Sequence, residues 1–309
     1  MVRIGPGDLE MLMLLAEFRV ASAEQLAVAS GGNAEATARR LRRLCRENGF
    51  IQMLSQDLRC GPGRPRNLFA LTQAGADALG RAGRLSIAQT ANIAALPAPR
   101  TQPHLIMTNW VWARLRQIVR RAPFLVECHL ASDSPLTERT SSGRSVLHDQ
   151  VALEDGQLIG FEPDGAFCFR HLELGKALLF LLEVDRGTEP RTSPADRPAI
   201  GRKLACYQRY YATEGYKTYE KRWGSPFRGF RLLILAETSQ RAEAICRLVR
   251  QSPPSEFVWT AEYGNLLAQG LHAPIWLAGG DTQLAAQSIL GGQYQRVQAL
   301  IDGTPPGDG

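Results

Sequence analysis

A change of composition between residues 80 and 104 divides the chain into two parts. The stretch begins Gly80-Arg81-Ala82-Gly83-Arg84, continues with an alanine-rich segment, and ends with prolines at positions 97, 99 and 103. Such a segment is typical of a linker between domains. The chain has 309 residues, and a domain typically has about 100–200. We therefore predict a first domain over residues 1–84, a linker over 85–103, a second domain over 104–300 and a disordered tail over 301–309.

The overall composition is that of a soluble globular protein. Hydrophobic residues make up 44% and charged residues 21% of the chain, which argues against a wholly disordered protein. The longest apolar runs, such as Ala177–Leu182, have six residues, whereas a membrane-spanning helix needs about 20. The N-terminus lacks the apolar core of a secretory signal. We predict a cytoplasmic protein without membrane contact.

Cysteines and histidines are too scattered to indicate a zinc site. The six cysteines lie at least 15 residues apart, and the five histidines are equally dispersed. Zinc sites are usually built from closely spaced pairs such as Cys-x-x-Cys. We therefore expect reduced, mostly buried thiols.

The first 80 residues have the periodicity and capping residues of short helices followed by a hairpin. Ser22, Asn33 and Thr72 each precede a helical pattern and are good N-cap residues. The order of elements predicts a winged helix-turn-helix domain. The predicted elements are helices over Leu9–Ala16, Ala23–Ala29 and Ala34–Glu47, strands over Phe50–Leu54 and Asn67–Leu71, and a closing helix over Gln73–Leu79.

The third of these helices has the strongest sign of DNA binding. Five arginines and two glutamates give it a net charge of +3. A basic helix in this position can lie in the major groove, where arginine reaches guanine edges and phosphates. The alternative is a solvated helix face. The predicted DNA-contacting residues are Thr37, Arg39, Arg40, Arg42, Arg43 and Arg46.

The loop between the two predicted strands would form the wing. It reads Gly61-Pro62-Gly63-Arg64-Pro65-Arg66, in which proline favours an extended backbone and glycine a slim one. We expect Arg64 and Arg66 to enter an adjacent minor groove, since arginine favours narrow A·T-rich tracts. An ordinary hairpin tip is the alternative. The net charge of +6 agrees with a polyanionic partner.

The second part of the chain predicts an α/β domain with a mixed sheet. From His104 the order is helix, three strands, helix and strand, which is the core order of restriction-endonuclease-like nucleases. The most hydrophobic strand ends in Glu183 and Asp185, which alternation places on one face. Asp164 on the neighbouring strand could join them. Such carboxylates can hold Mg²⁺, and the metal can activate water for phosphodiester cleavage.

The nuclease pattern is incomplete in one position. Asp185 stands where such nucleases have a lysine that positions water, and the nearest substitute is Lys203 on the following helix. Lys203 shares a helix face with Tyr207 and Tyr210. Three interpretations stay open: an active Mg²⁺ site, a carboxylate–lysine cluster without catalysis, and accidental surface charge.

A cluster of tyrosines and cations on and after this helix has two interpretations. Aromatic rings interleaved with cations can stack the bases of single-stranded nucleic acid. The rings could instead face the sheet as part of the core. The cluster contains Tyr207, Tyr210, Tyr211, Tyr216 and Tyr219 with Arg202, Arg209, Lys217 and Lys221.

Three sequence blocks together resemble the replication-relaxation proteins of plasmids and other mobile elements. They are Leu68–Gly75, Pro163-Asp164-Gly165 followed by Phe180–Glu189, and Lys203–Tyr207 followed by Tyr210. The likeness covers about residues 8–280. It implies an N-terminal winged helix, DNA binding and a role in replication, relaxation or its control. It also implies that Asp185 belongs to the family pattern, which weakens the case for ordinary nuclease chemistry.

We therefore expect a sequence-specific double-stranded DNA-binding protein that needs no cofactor to bind DNA and forms a homodimer. Its role would be transcription regulation or replication and relaxation control, with a non-catalytic nuclease-like domain. The first alternative is a Mg²⁺-dependent DNA endonuclease in which Asp164, Glu183 and Asp185 hold the metal and Lys203 assists water. A second alternative, a protein-binding adaptor, predicts no salt-dependent affinity for DNA.

Overall fold

The computed structural model describes residues 4–54, 67–152, 156–187 and 199–303. The chain divides into two compact units, one of residues 1–120 and 133–138, the other of residues 121–132 and 139–309. The predicted wing, with Arg64 and Arg66, lies outside the described residues. In the described ranges no helix has the length and apolarity to cross a membrane.

The first unit begins with four helices and a three-stranded antiparallel sheet. Strand β3 lies in the centre of the sheet, between β1 and β2. The predicted helices and both predicted strands are confirmed, and β1, with three residues, is too short to show a pattern in the sequence. In chain order the elements are α1 (Pro6–Phe18), β1 (Val20–Ser22), α2 (Ala23–Ser30), α3 (Ala34–Arg46), β2 (Ile51–Leu54), β3 (Leu68–Leu71) and α4 (Gln73–Arg81).

Capping residues mark the start of α2 and the turn between α2 and α3. The Ser22 hydroxyl accepts a hydrogen bond from the Gln25 N–H at 3.2 Å, and the Gln25 side chain accepts one from the Ser22 N–H at 3.0 Å. This reciprocal pair is a capping box. Asn33 Oδ1 accepts two N–H groups of the first turn of α3, at 2.9 and 3.1 Å. Gly31 ends α2 with φ 72°, a conformation that favours glycine.

The segment predicted as a linker has regular structure of its own. It contains helix α5 (Ile87–Asn92) and a 3₁₀ turn over Pro99–Thr101. Ser86 and Gln89 form a second capping box, with distances of 2.9 and 3.2 Å, at the start of α5. A local cap therefore orders part of a stretch whose composition indicates a linker.

Helix α6 (Gln102–Arg121) belongs almost wholly to the first unit, although the sequence placed it at the start of the second domain. The buried Asn109 amide donates to the carbonyls of Phe18 and Val20, at 3.0 and 2.8 Å. The Gln25 side chain donates to the Ile106 carbonyl at 2.7 Å. Two arginines near the end of α6 form ion pairs with glutamates of α1. These polar contacts join α6 to α1, β1 and α2.

The second unit contains a six-stranded mixed sheet, which confirms the predicted α/β class. Its strand order is β11-β10-β9-β8-β7-β4, and β5 and β6 form a separate hairpin. Strands β4, β7 and β8 are antiparallel, whereas β8, β9 and β10 are parallel. The elements are β4 (Leu125–Ala131), β5 (Asp149–Ala152), β6 (Leu158–Phe161), β7 (Gly165–His171), β8 (Lys176–Asp185), α7 (Ala199–Ala212), α8 (Thr218–Trp223), β9 (Phe230–Ala236), α9 (Ser239–Arg250), β10 (Val258–Glu262), α10 (Tyr263–Gln269), β11 (Leu277–Ala278) and α11 (Tyr294–Asp302).

Two details of the second unit differ from the sequence prediction. The single strand predicted near Phe161–Phe169 is two strands, β6 and β7, with Pro163 between them. Proline has no N–H for a sheet ladder, so a break at this point is physically reasonable. The tail predicted to begin at residue 301 is helical up to Asp302, and residues 304–309 lie outside the described part of the chain.

The face of the sheet that packs on α7 and α9 forms the core around the candidate site. Leu179 and Leu181 of β8 lie in one buried cluster with Leu204 and Tyr207 of α7 and Ile245 of α9. On the opposite face, Phe167 and Phe180 stack with ring centroids 4.8 Å apart. The side chains of β8 therefore alternate between two buried faces.

Candidate functional site

Helix α3 has one buried face and one face rich in arginine. Thr37, Leu41 and Leu44 are buried. Thr37 is only 6% exposed, so its side chain lies with the core, and we leave it out of the candidate DNA-binding surface. The exposed side chains include all five arginines of the helix, Arg39, Arg40, Arg42, Arg43 and Arg46.

Two of these arginines bind an aspartate of α1. Asp8 Oδ1 lies 2.6 Å from Arg43 Nη2 and 3.4 Å from Arg40 Nε. The Asp8 side chain is only 11% exposed, so solvent screens this pair less than it screens a surface ion pair. Arg40 and Arg43 therefore orient α3 against α1.

The other three arginines form a strip along the solvent side of α3. Arg39, Arg42 and Arg46 follow one another at intervals of three and four residues, which places them on one side of a helix. Arg39 pairs with Glu35 of the same helix at 2.8 Å, and such exposed pairs contribute only about 0.3–0.5 kcal/mol. Arg42 donates to the carbonyl of Ala38, also within α3, at 3.2 Å. Both contacts lie within α3, so neither guanidinium is bound to another element. A phosphate or a base edge can therefore replace either contact with little loss of free energy.

A buried carboxylate occupies the end of β8. Glu183 is 2% exposed. Its Oε1 accepts a hydrogen bond from the Tyr207 hydroxyl at 2.5 Å, and its Oε2 accepts one from Lys203 Nζ at 2.7 Å. Lys203 and Tyr207 lie one turn apart on α7, so the structure brings together the face that the sequence predicted. Asp164 is close by, and its Oδ2 accepts the Val184 N–H at 2.7 Å.

Burial dominates the acid–base behaviour of this carboxyl group. The pKa of Glu183 is raised to about 7, mainly by burial and also by the charge of Asp164, whereas Lys203 and Tyr207 act to lower it. Burial also raises the pKa of Tyr207 well above its usual value, so its hydroxyl stays a hydrogen-bond donor. Lys203 is 39% exposed and lies where the buried carboxyl meets solvent.

Asp185 lies on the same face of β8 as Glu183 but contacts a different helix. Both of its oxygens accept hydrogen bonds from Arg241 of α9, each at 2.8 Å. This two-point geometry is the strong form of an arginine–carboxylate pair. Asp185 Oδ1 also accepts the Gly187 N–H at 2.7 Å. The predicted alternation is confirmed, and the two carboxylates have separate partners.

The three predicted Mg²⁺ ligands do not come together as a metal-binding group. Across the described ranges, no three Asp, Glu, His or Cys side chains are placed to hold a metal ion. Glu183 uses both oxygens on Tyr207 and Lys203, and Asp185 uses both on Arg241. A cation would have to displace these donors, so the donor set fits a structural carboxylate network better than it fits a metal centre.

The tyrosines that follow Lys203 belong to the core. Tyr207, Tyr210, Tyr216 and Tyr219 are buried. Tyr207 and Tyr210 each meet the ring of Phe161 edge-on, with centroids 5.1 Å apart. Buried rings cannot stack unpaired bases, so the interpretation as a single-strand platform is wrong for these four residues.

Comparison with known proteins places both candidate regions in one family. The replication-relaxation family matches residues 12–223, which run from within α1 to the end of α8. This match is shorter than the expected 8–280, but it includes both the arginine strip of α3 and the Glu183 network. No curated protein matches the chain, and no solved structure does. Because the match covers more than half of the sequence, the chain belongs to the replication-relaxation family.

Proposed function

We propose that this protein binds a specific double-stranded DNA sequence of a mobile element and acts in its replication, relaxation or transcription control. The observation that carries the proposal is the strip of Arg39, Arg42 and Arg46 on the exposed side of α3. Membership of the replication-relaxation family supports a role on DNA. A homodimer on a palindromic site is part of the proposal, since many such binders have two-fold symmetry.

The surroundings of α3 support a winged helix-turn-helix. Helices α2 and α3 are joined by a turn of three residues, and β2 and β3 follow with β1 as the third strand. In domains of this type, the helix after the turn lies in the major groove and its side chains contact base edges. A two-point contact between arginine and guanine contributes about 1–3 kcal/mol of discrimination. Arg39, Arg42 and Arg46 would make these contacts, and Arg40 and Arg43 would hold the helix in place.

The second unit supports a nuclease-like fold without metal-dependent cleavage. Strands β4, β7 and β8 are antiparallel neighbours, and α7 connects β8 to the parallel strand β9. This is the strand order expected of a restriction-endonuclease-like core. The carboxylates at its centre are bound by Lys203, Tyr207 and Arg241, which supports a structural role for them.

The test compares two double variants that lose the same charge. Labelled DNA from around the protein's own gene is titrated with protein at several salt concentrations. Replacing Arg42 and Arg46 by alanine removes two contacts with base edges, so the variant should lose about 1–3 kcal/mol of binding free energy per contact and part of its preference for the specific site. Replacing the exposed Arg81 and Arg84 by alanine is the matched control. Equal affinities for the two variants would refute the assignment of α3.

The same samples test cleavage and stoichiometry. With Mg²⁺ added, we expect intact strands on a denaturing gel, and cutting that Glu183→Ala abolishes would support the endonuclease alternative. The mass of the protein–DNA complex reports whether two copies bind one site. A single copy on a palindromic site would contradict the proposed dimer.

A further inference from the structure

Positive charge is concentrated in one part of the second unit. Residues 199–228 contain seven basic and two acidic side chains, a net charge of +5, while the whole chain has a net charge of +6. The acidic two are already engaged, because Glu214 pairs with Lys217 at 2.5 Å and Glu220 accepts the Phe227 N–H at 2.7 Å. Lys203 is half-buried, and the exposed Lys217 is paired with Glu214. The other basic side chains of this segment are also exposed: Arg202, Arg209, Lys221, Arg222 and Arg228.

Helix α7 separates its charged and apolar residues by face. Leu204, Tyr207 and Tyr210 are buried against the sheet. Arg202 and Arg209 lie seven residues apart, which is almost two full helical turns, so they share the exposed face. The rise of the helix separates their Cα atoms by about 10 Å along its axis. This distance is comparable to a few nucleotides of one DNA strand, which advances about 3.4 Å per residue.

The exposed face of α7 contacts the short strand β5 and is followed closely along the chain by α8. Arg209 Nε donates to the carbonyl of Ala152, at one end of β5, with a distance of 3.0 Å. Only five residues separate the end of α7 from the start of α8. The ring of Tyr216, in this short connection, lies 6.0 Å from the ring of Tyr211 of α7, measured between centroids. The exposed cations of α7 and α8 therefore lie on neighbouring elements.

The chemistry of this surface fits phosphate groups. The carbonyl that Arg209 contacts is uncharged, so the positive charge of the guanidinium is not neutralised by this contact. Tyr207, Tyr210, Tyr216 and Tyr219 are buried, so these four rings cannot stack the bases of single strands. Arginine and lysine contacts of this kind position a duplex through its backbone and carry no sequence information.

We propose that the exposed cations of α7 and α8 form a second DNA-binding surface that contacts the phosphates of double-stranded DNA without reading its sequence. This inference rests on the proposed function, because the arginine strip of α3 supplies the specificity that this surface lacks. The two surfaces then contribute differently: α3 sets the preference among sequences, and the α7–α8 surface adds affinity on every sequence.

The experiment uses the full chain and two charge-matched double variants. Arg202→Gln with Arg209→Gln alters the proposed surface, and Arg247→Gln with Arg250→Gln alters two exposed arginines of α9 in the same unit. Loss of two phosphate contacts should make the slope of log K against log salt shallower by about 1.8. Between 50 and 200 mM salt, the wild type should therefore lose about 12-fold more affinity than this variant. The α9 variant should keep the wild-type slope.

Specific and unrelated DNA distinguish this inference from the proposed function. We expect the α7 variant to lose affinity equally on both DNAs and to keep the wild-type preference for the specific site. A slope equal to that of the α9 variant would overturn the second surface while leaving α3 untouched. A loss of preference in the α7 variant would also overturn it, because the surface would then read sequence. A wild-type protein with no salt-dependent affinity for any duplex would overturn both proposals.

Discussion

Asn109 is the single side chain whose removal tests most directly whether α6 is part of the first unit. Its amide is buried and donates to the carbonyls of Phe18 and Val20, on either side of Arg19. Arg19 has φ 61°, an unusual conformation for a residue other than glycine. The two hydrogen bonds hold the backbone at this turn between α1 and β1. Replacement by alanine removes both donors and leaves two buried acceptors.

The expected loss of stability follows from these contacts. A buried polar group left without a partner costs about 1–3 kcal/mol, so two carbonyls together cost about 2–6 kcal/mol. Relaxation of Arg19 returns part of this, since a strained residue stores about 1–3 kcal/mol. The difference between these two ranges leads us to expect that Asn109→Ala lowers the free energy of unfolding by about 1–3 kcal/mol. With a urea dependence of about 2 kcal/mol/M, the urea midpoint should fall by roughly 0.5–1.5 M.

The assay combines urea unfolding with hydrogen exchange resolved to peptides. Asn92→Ala is the matched control, because Asn92 is exposed and its amide makes only one bond, to the Ala88 carbonyl at 3.4 Å. In Asn109→Ala, exchange should accelerate in α1 and β1. A midpoint equal to that of the control, with unchanged exchange in α1 and β1, would refute the argument that α6 stabilises the first unit through Asn109.

Two further predictions concern the buried carboxyl and a close backbone approach. The pKa of Glu183 is raised to about 7, so its contribution to stability is complete below its unfolded pKa near 4.5 and is lost as the pH rises towards 7. In Glu183→Gln, the free energy of unfolding should depend less steeply on pH, and its difference from the wild type should change by at most about 3 kcal/mol between pH 5 and 8. Urea unfolding at several pH values measures this difference. Parallel pH profiles for the variant and the wild type would contradict the prediction. A Cβ on Gly75 would lie 2.2 Å from the Phe50 carbonyl oxygen, so Gly75→Ala should lose about 1–3 kcal/mol in the same assay. Gly292, with open space around it, is the control position, and an equal effect of alanine at both sites would count against the steric argument.

Local signals in the sequence were sufficient for the elements that carry the candidate DNA surface. Ser22 and Asn33 are N-caps because of hydrogen bonds to residues two or three positions away, and such signals are visible in the sequence. The alternation along β8 likewise placed Glu183 and Asp185 on one face. The spacing of Lys203 and Tyr207 predicted that the two side chains share one face of a helix, but it did not identify Glu183 as their common partner.

Contacts between distant residues could not be predicted in this way. Arg43 and Asp8 are 35 residues apart, and Arg241 and Asp185 are 56 apart. Each pair changes the function expected of one residue. Arg43 binds Asp8 and therefore does not belong to the arginine strip, and Asp185, which was expected to bind a metal ion, binds Arg241 instead. Thr37 was misplaced for a related reason. It was predicted to contact DNA, whereas the packing of α3 buries its side chain.

The place where α6 ends has a consequence for how such proteins diversify. Three residues separate its last residue, Arg121, from the first residue of β4, and its polar contacts join it to α1, β1 and α2. A genetic crossover within residues 85–103 would pair a new set of N-terminal helices with an old α6, and Arg116 and Arg120 would then face side chains other than their partners Glu17 and Glu10. Exchange of binding specificity between relatives should therefore succeed when the crossover falls after Arg121. Chimeras joined before α6 should assemble poorly even when both parents are stable.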